Sequence, residues 1–259
     1  MLDHITPLII TYNEAPNIRR TLNKLLWAKR IVVIDSGSND GTLDILKEHD
    51  QVDVLSRPFT DFADQCNFGL KQVNTAWALS LDADYELSDE LVEEIRQLSE
   101  SDAVCGFRAR FIYRIHGRPL RGALYPARAV LYRKDRASYK NEGHGHRVEI
   151  NGRIDRLRGA IYHDDRKPLA RWFASQQRYT RDEADHLQKL SRDEMRFPDR
   201  LRFMGFPAPF LVFFYTLFVK GCVFDGWAGW HYALQRLCAE VMLALELVDR
   251  RLERKSELN

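Results

Sequence analysis

Cysteine is scarce in this chain, limited to Cys66, Cys105, Cys222 and Cys238, far apart and with no Cys-x-x-Cys pair. That spacing indicates neither a zinc site nor a disulfide framework, and it suits a reducing cytosol. Glycine is missing from the first strand-to-helix turn, Tyr12-Asn13-Glu14-Ala15-Pro16. A dinucleotide fold needs glycines there so that the backbone can approach a pyrophosphate, and the sequence argues against one. A Gly-x-x-x-x-Gly-Lys-Ser/Thr loop is also absent, which disfavours a mononucleotide ATPase of that type. Neither sign of charge dominates: 39 Lys and Arg face 37 Asp and Glu, for a net charge of +2. With no global field to attract it, nucleic acid is not an expected partner. No apolar run reaches the ~20 residues of a bilayer crossing. The start, Met1-Leu2-Asp3-His4, lacks the basic opening and long apolar stretch of a signal peptide, so a cytoplasmic chain is expected.

The 259 residues, 45% hydrophobic and 29% charged, suffice for one large domain plus an appendage. Pro7-Leu8-Ile9-Ile10-Thr11 reads as a strand, and Ala15-Pro16 opens a helical pattern through Ile18, Leu22, Leu25 and Leu26. Ile31 to Asp35 is a stronger strand, followed by the loop Ser36-Gly37-Ser38-Asn39-Asp40-Gly41 and a helix from Thr42 to about Glu48. Val52 to Leu55, a helix from Phe62 to Val73, and a strand from Trp77 to Leu81 continue the alternation. Ser88, with Asp89 and Glu90, is placed to cap a helix running through Leu98. Continuous apolar strands separated by helices predict an α/β fold with a parallel sheet covered on both faces. Beyond Ala103 the rhythm changes, with strands expected at Val104–Tyr113, Ala129–Arg133, Val148–Ile154 and Ala160–His163.

Polar groups gather at successive strand ends: Thr11, Asn13 and Glu14, then Asp35 and Ser36, then Asp82 and Asp84. Ligands of open α/β sheets bind along that edge. Asp82-Ala83-Asp84 places two carboxylates where the fourth strand ends, with no Lys or Arg in the tripeptide to neutralise them. A hard divalent ion bridging substrate phosphates would relieve that charge. The plainer reading is a strand followed by an acidic turn.

Pro7-Leu8-Ile9-Ile10-Thr11-Tyr12-Asn13-Glu14, Asp35-Ser36-Gly37-Ser38-Asn39-Asp40-Gly41-Thr42 and Leu81-Asp82-Ala83-Asp84 together resemble the nucleotide-sugar half of family-2 inverting glycosyltransferases. Phe62 to Leu70, with Trp77 to Asp84, resembles the branch that includes lipopolysaccharide-core β-glucosyltransferases. Two positions depart from that branch: Cys66 stands where a basic residue is frequent, and Tyr85 where an acid often follows the second Asp. The resemblance implies a GT-A (Rossmann-like), mostly parallel sheet flanked by helices over residues 1–165, and the residues that follow read as a helical C-terminal region over 166–259. It implies that Thr11, Tyr12 and Glu14 line the base and ribose pocket of a UDP-sugar and that Asp35 contacts the base. Gln65, Asn67, Asp82 and Ala83 complete the donor site, and Asp84 with His163 ligates Mg²⁺ or Mn²⁺. Local structure offers other uses for some of these groups: Glu14 suits the start of its helix, Asp35 suits capping of its loop, and His163 beside Asp164 and Asp165 suits a surface position.

The base for an inverting displacement must reach the acceptor hydroxyl on the face opposite the leaving diphosphate. Asn141-Glu142-Gly143-His144-Gly145-His146-Arg147 offers candidates. Relatives often carry His-Glu near this point, whereas Arg147 follows His146 here, so Glu142 with His146 is the expected catalytic pair and Glu149 the alternative. Arg108, Arg110, Arg114, Arg118, Arg121 and Arg128 suit a phosphorylated or acidic acceptor, or a solvated basic face.

In the C-terminal third a helix is expected over Trp172–Met195. A basic and aromatic stretch follows, Arg196 to Phe203, then the apolar segment 206–219, then a turn at Gly226-Trp227-Ala228-Gly229-Trp230 and a last helix, Ala233–Leu252. Segment 206–219 fits either the headgroup boundary of a membrane or a packed core helix. The expected activity is transfer of a hexose, glucose by resemblance, from a UDP-sugar to a lipid-linked glycan such as lipopolysaccharide core, on the cytoplasmic face of the inner membrane. Two other readings stand beside it: a polyprenyl-phosphate sugar transferase, and a noncatalytic nucleotide-sugar binding or scaffold protein.

Overall fold

The computed structural model describes residues 1–99, 103–142, 145–191 and 193–257. It divides into two compact units, residues 1–117 with 125–166, and residues 118–124 with 167–259.

The first unit is built on a sheet whose strands run in the order β3-β2-β1-β4-β8-β6-β11-β5. The strands are β1 (Ile5–Thr11), β2 (Ile31–Asp35), β3 (Val52–Ser56), β4 (Trp77–Asp82), β5 (Tyr85–Leu87), β6 (Val104–Ile115), β8 (Arg128–Arg133) and β11 (Arg153–His163). A two-residue β7, Arg118–Pro119, lies in the second unit. Strands β1 to β4 are mutually parallel, β8 is antiparallel to both neighbours, β6 and β11 are parallel, and β5 runs against β11. The buried runs of β1 and β2 have no polar alternation because helices cover both faces. One core gathers Ile9, Leu22, Ile31, Leu79, Leu91 and Ile161; the other, on the opposite face, gathers Leu8, Ile34, Cys66, Ala78 and Tyr132.

Four short helices cover this sheet: α1 (Ile18–Asn23), α2 (Thr42–Lys47), α3 (Phe62–Gln72) and α4 (Asp89–Gln97). Ser88 caps α4 as expected, its hydroxyl accepting the Leu91 N–H at 3.2 Å. Helix α1 is shorter than its apolar pattern predicts: Leu25 is buried past its end, and Leu26 points to solvent. Turn residues 15–17 precede the helix, Leu25 N–H still donates to the Leu22 carbonyl at 2.8 Å beyond its end, and Asn13 in the loop after β1 adopts φ 56°. Strands β9 (Ala137–Glu142) and β10 (Gly145–Ile150) form a separate antiparallel pair. The expected strand Val148–Ile154 is broken by Asn151-Gly152. Gly152 adopts φ 136°, a conformation that suits glycine, and β11 starts beyond it as one strand through His163.

The second unit contains α5 (Leu169–Lys189), α6 (Phe197–Met204), α7 (Pro207–Phe214), a π-helical turn at Tyr215–Val219 and the long α8 (Gly226–Glu257). Gly226 to Trp230, expected as a turn, is instead the start of α8, and the reversal is made by Gly221 and the 3-10 turn Cys222–Asp225. Ala184 and Leu187 of α5 pack with Leu243 and Leu247 of α8. Arg202 donates to Glu240, whose side chain is only 3% exposed, at 2.7 Å. No single helix among the described residues is long and apolar enough to cross a membrane.

Candidate active site

The parallel register delivers three polar side chains to one edge of the sheet. Thr11 pairs with Asp35, and Ile10 pairs with Asp82, so β1, β2 and β4 end side by side. At this edge the turn after β1 is stitched to the loop after β2. Asn13 N–H donates to Ser38 Oγ at 2.7 Å, Glu14 N–H to Thr42 Oγ1 at 2.7 Å, and Asn39 N–H to Asn13 Oδ1 at 2.7 Å. A cradle without glycine in its first turn is thus held by side chains instead of by close backbone packing.

Asp35 is buried, and one carboxylate oxygen accepts both Gly37 N–H and Ser38 N–H at 2.9 Å while the other accepts the Ser38 hydroxyl. It therefore anchors its own loop, the local use considered from sequence, and a carboxylate with about four lone-pair sites retains one for a ligand. Glu14 likewise accepts from Asn17 Nδ2 at 2.9 Å. Thr11 is different: its hydroxyl is buried and has no hydrogen-bond partner among the described residues. Beside it Tyr12 is half exposed at the strand tip. Gln65 is fully buried, donating to Ser36 Oγ at 3.0 Å and to the Arg57 carbonyl at 3.1 Å, so it supports the loop from below. Asn67 joins α3 to β9 by a reciprocal pair of 2.9 Å bonds with the Tyr139 backbone.

Asp84 and His163 come together because β5, which begins one residue after Asp84, pairs with β11 at His163↔Tyr85. The Asp84 carboxylate lies 3.0 Å from His163 Nε2, and both residues are largely buried. Ala83 between the two aspartates is buried, and its carbonyl accepts Thr21 Oγ1 at 2.7 Å, fixing the tripeptide to α1. Burial disfavours the imidazolium of His163, but the Asp84 carboxylate, with Asp82 and Asp165 nearby, outweighs it and holds the pKa above its ordinary value. The Nδ1 atom of His163 is buried without a partner among the described residues.

These groups fit a divalent cation in part. An oxygen and a nitrogen at this separation match two neighbouring corners of a six-coordinate shell with bonds of about 2.1 Å. Among the described residues no group of three acidic, histidine or cysteine side chains forms a metal cluster, so phosphate and water oxygens would have to complete the shell.

An aromatic cage around His163 has no counterpart among the expectations from sequence. The rings of Tyr113, Tyr125 and Tyr85 pack on it, with centroids 4.7, 4.9 and 5.2 Å away, and the hydroxyls of Tyr85 and Tyr125 are hydrogen-bonded to each other. Burial, then the Asp82 charge, drives both phenols well above the usual tyrosine range. Tyr85 was visible in the sequence as the residue replacing the family acid. Tyr125 carried no signal, since only the fold brings it to this place. A second missed feature is Asp164, fully buried and held by Arg166 at 2.8 Å and Arg20 at 3.2 Å. Arg20 also pairs with Glu86 and donates to the Asp164 carbonyl at 2.7 Å, which ties the residue after His163 to α1.

The expected base falls on the β9–β10 hairpin. Glu142 and His146 belong to the β9–β10 pair, with Glu142↔Gly145 and His146↔Asn141 in register, and their side chains lie outside the described residues. Arg114 does not stand free for an acceptor: its guanidinium lies over the Tyr162 ring and faces Glu86 at 3.9 Å. Arg121 is paired with Asp225 at 3.3 Å.

The sequence profile of the family "Glycosyl transferase family 2" matches residues 7–152, more than half of the chain. The chain belongs to glycosyl transferase family 2. Its mostly parallel, helix-flanked sheet is the GT-A architecture expected of a family-2 member. An uncharacterized glycosyltransferase of Rickettsia bellii (strain RML369-C) is 28% identical over 241 residues, covering 85% of this chain and 82% of that protein. The lipopolysaccharide core biosynthesis glycosyltransferase LpsC of Rhizobium meliloti (strain 1021) is 29% identical over 109 residues, 40% of each chain. Among solved structures, S. aureus TarS 1-349 in complex with UDP-GlcNAc aligns at a TM-score of 0.49 and 14% identity, covering 95% of this chain and 91% of that one.

Proposed function

We propose that this family-2 glycosyltransferase moves a hexose, glucose in the first instance, from a UDP-sugar to a hydroxyl of a lipid-linked glycan at the cytoplasmic face of the inner membrane, in a reaction that needs Mg²⁺ or Mn²⁺. The observation carrying this reading is the juxtaposition of Asp84 with His163 beside the sheet edge formed by Thr11, Asp35 and Asp82. The unpartnered Thr11 hydroxyl and the exposed Tyr12 ring suit a ribose and a base, and the remaining acceptor site of Asp35 suits the imide N–H of uracil. Support for an envelope glycan as acceptor comes from the core-biosynthesis name of LpsC and from a second relative, a poly-beta-1,6-N-acetyl-D-glucosamine synthase of Staphylococcus epidermidis, 29% identical over 117 residues.

In this reading Asp84 and His163 hold the cation, and Asp82 adds negative charge next to them. A cation held there would supply positive charge to offset the charge of the departing diphosphate. The chain's own part is to fix the nucleoside at the ends of β1 and β2 and to exclude water from the His163 side with the tyrosine cage. Glu142, or His146 beside it, takes the proton from the acceptor oxygen, and the new bond forms on the sugar face opposite the leaving group.

Hydrolysis of a panel of nucleotide sugars in Mg²⁺ or Mn²⁺ tests the donor. UDP-glucose is expected to be turned over fastest. Tight UDP binding without turnover of any donor or acceptor would instead favour the noncatalytic reading.

A further inference from the structure

We infer that the face formed by α7, the π turn and the start of α8 is a docking surface for an anionic lipid bilayer, which it enters in the plane of the headgroups without spanning. The inference rests on the membrane part of the proposed function and is independent of the donor.

The first observation is a continuous stripe of exposed aromatic residues. Phe206, Phe210, Phe214 and Phe218 recur every four residues, so they share one side of the α7 helix and its π turn, and all four are exposed, Phe206 by 79%. Adjacent rings pack on one another, with centroids 5.7 Å apart for Phe206 and Phe210 and 6.1 Å for Phe214 and Phe218. Beyond the reversal, Phe224 and Trp227 extend the apolar surface, Trp227 being 85% exposed. Folded chains rarely leave so many large apolar side chains together in water without a partner.

The second observation is the charge around the stripe. From Arg200 to Ala239 the sequence contains one acid, Asp225, against Arg200, Arg202, Lys220 and Arg236. That acid is paired with Arg121 and only 6% exposed, and the next one, Glu240, is buried against Arg202. Both acids are therefore neutralised, by Arg121 and by Arg202, while Lys220 beside the Tyr215 ring remains at the rim. Cations flanking an aromatic surface suit anionic headgroups. The same distribution argues against a second copy as the occupant. Two such faces pressed together would bring cation toward cation with no exposed acid from this stretch to offset them.

The third observation is length. The segment 206–219 extends about 20 Å as a helix, short of the ~30 Å hydrocarbon core. It is bent by 67° from the following helix, so the pair does not form one straight rod.

Flotation with phosphatidylcholine vesicles, with and without phosphatidylglycerol, tests the surface on the full chain. The wild type is expected to float with the anionic vesicles and to be released by a high-pH carbonate wash. Trp227→Glu and Phe214→Glu, both at exposed positions, are each expected to lower binding by roughly tenfold or more, and Lys220→Glu to reduce the preference for phosphatidylglycerol. The inference is overturned if the wild type fails to float, if carbonate does not release it, if the two apolar variants float as the wild type does, or if the wild type is a stable dimer that ignores vesicles and that Trp227→Glu dissociates. UDP titration of the same proteins separates this result from the donor reading. A protein that floats but binds no UDP rejects the donor alone, and one that binds UDP but does not float rejects the surface alone.

Discussion

His163 Nε2 lies 3.0 Å from Asp84 Oδ2 although 79 positions separate them in the chain. Strand pairing produces the meeting: β11 has Tyr85 of β5 on one side and Tyr113 of β6 on the other at the position of His163. His163 on β11 and Asp84, in the two-residue turn that leads into β5, are thereby held next to each other by the pairing of β5 with β11, which is the kind of support a ligand site needs.

The tyrosine cage shields His163. Replacing the Tyr125 ring by Tyr125→Ala is expected to expose the imidazole and to speed its modification by diethyl pyrocarbonate, followed by peptide mass mapping. An unchanged rate would show that the ring does not limit access.

Arg20 holds the buried Asp164 carboxylate together with Arg166. Arg20→Met should cost about 3 kcal/mol of stability, because a buried charge loses one of its two partners. A denaturant titration would read this as a lower midpoint with unchanged slope. The same variant is expected to weaken UDP binding in the presence of Mn²⁺, since Asp164 follows His163 directly.

Gly159 permits the close approach of α4 to β11. A Cβ at this position would lie 2.5 Å from the Leu91 Cα, which is backbone and cannot swing aside. Gly159→Ala is therefore expected to destabilise the fold by about 2 kcal/mol, measurable as a lower melting temperature.

The sequence revealed the strands β1 to β4 because each is a short apolar run bounded by polar turn residues, and the ends of those runs named Thr11, Asp35, Asp82 and Asp84. Ser88 was legible as a cap from its position before two acids. The β10–β11 boundary was not, since Val148 to Ile154 alternates as a strand would and the Asn151-Gly152 turn is only two residues long. Tyr125 and Asp164 escaped because their roles depend on which strands are neighbours. The start of α8 was misread because its two glycines suggest a turn, whereas Gly229 is needed there for contact: a Cβ on it would meet the Cys222 carbonyl at 1.8 Å.

Calorimetric titration of UDP into the wild type and Asp84→Asn, each with and without Mn²⁺, tests the central claim that the tip of β4 holds a cation which binds the diphosphate. Mn²⁺ is expected to strengthen UDP binding to the wild type, this gain to disappear in Asp84→Asn, and binding without metal to be alike in both. An equal gain from Mn²⁺ in the variant would contradict it.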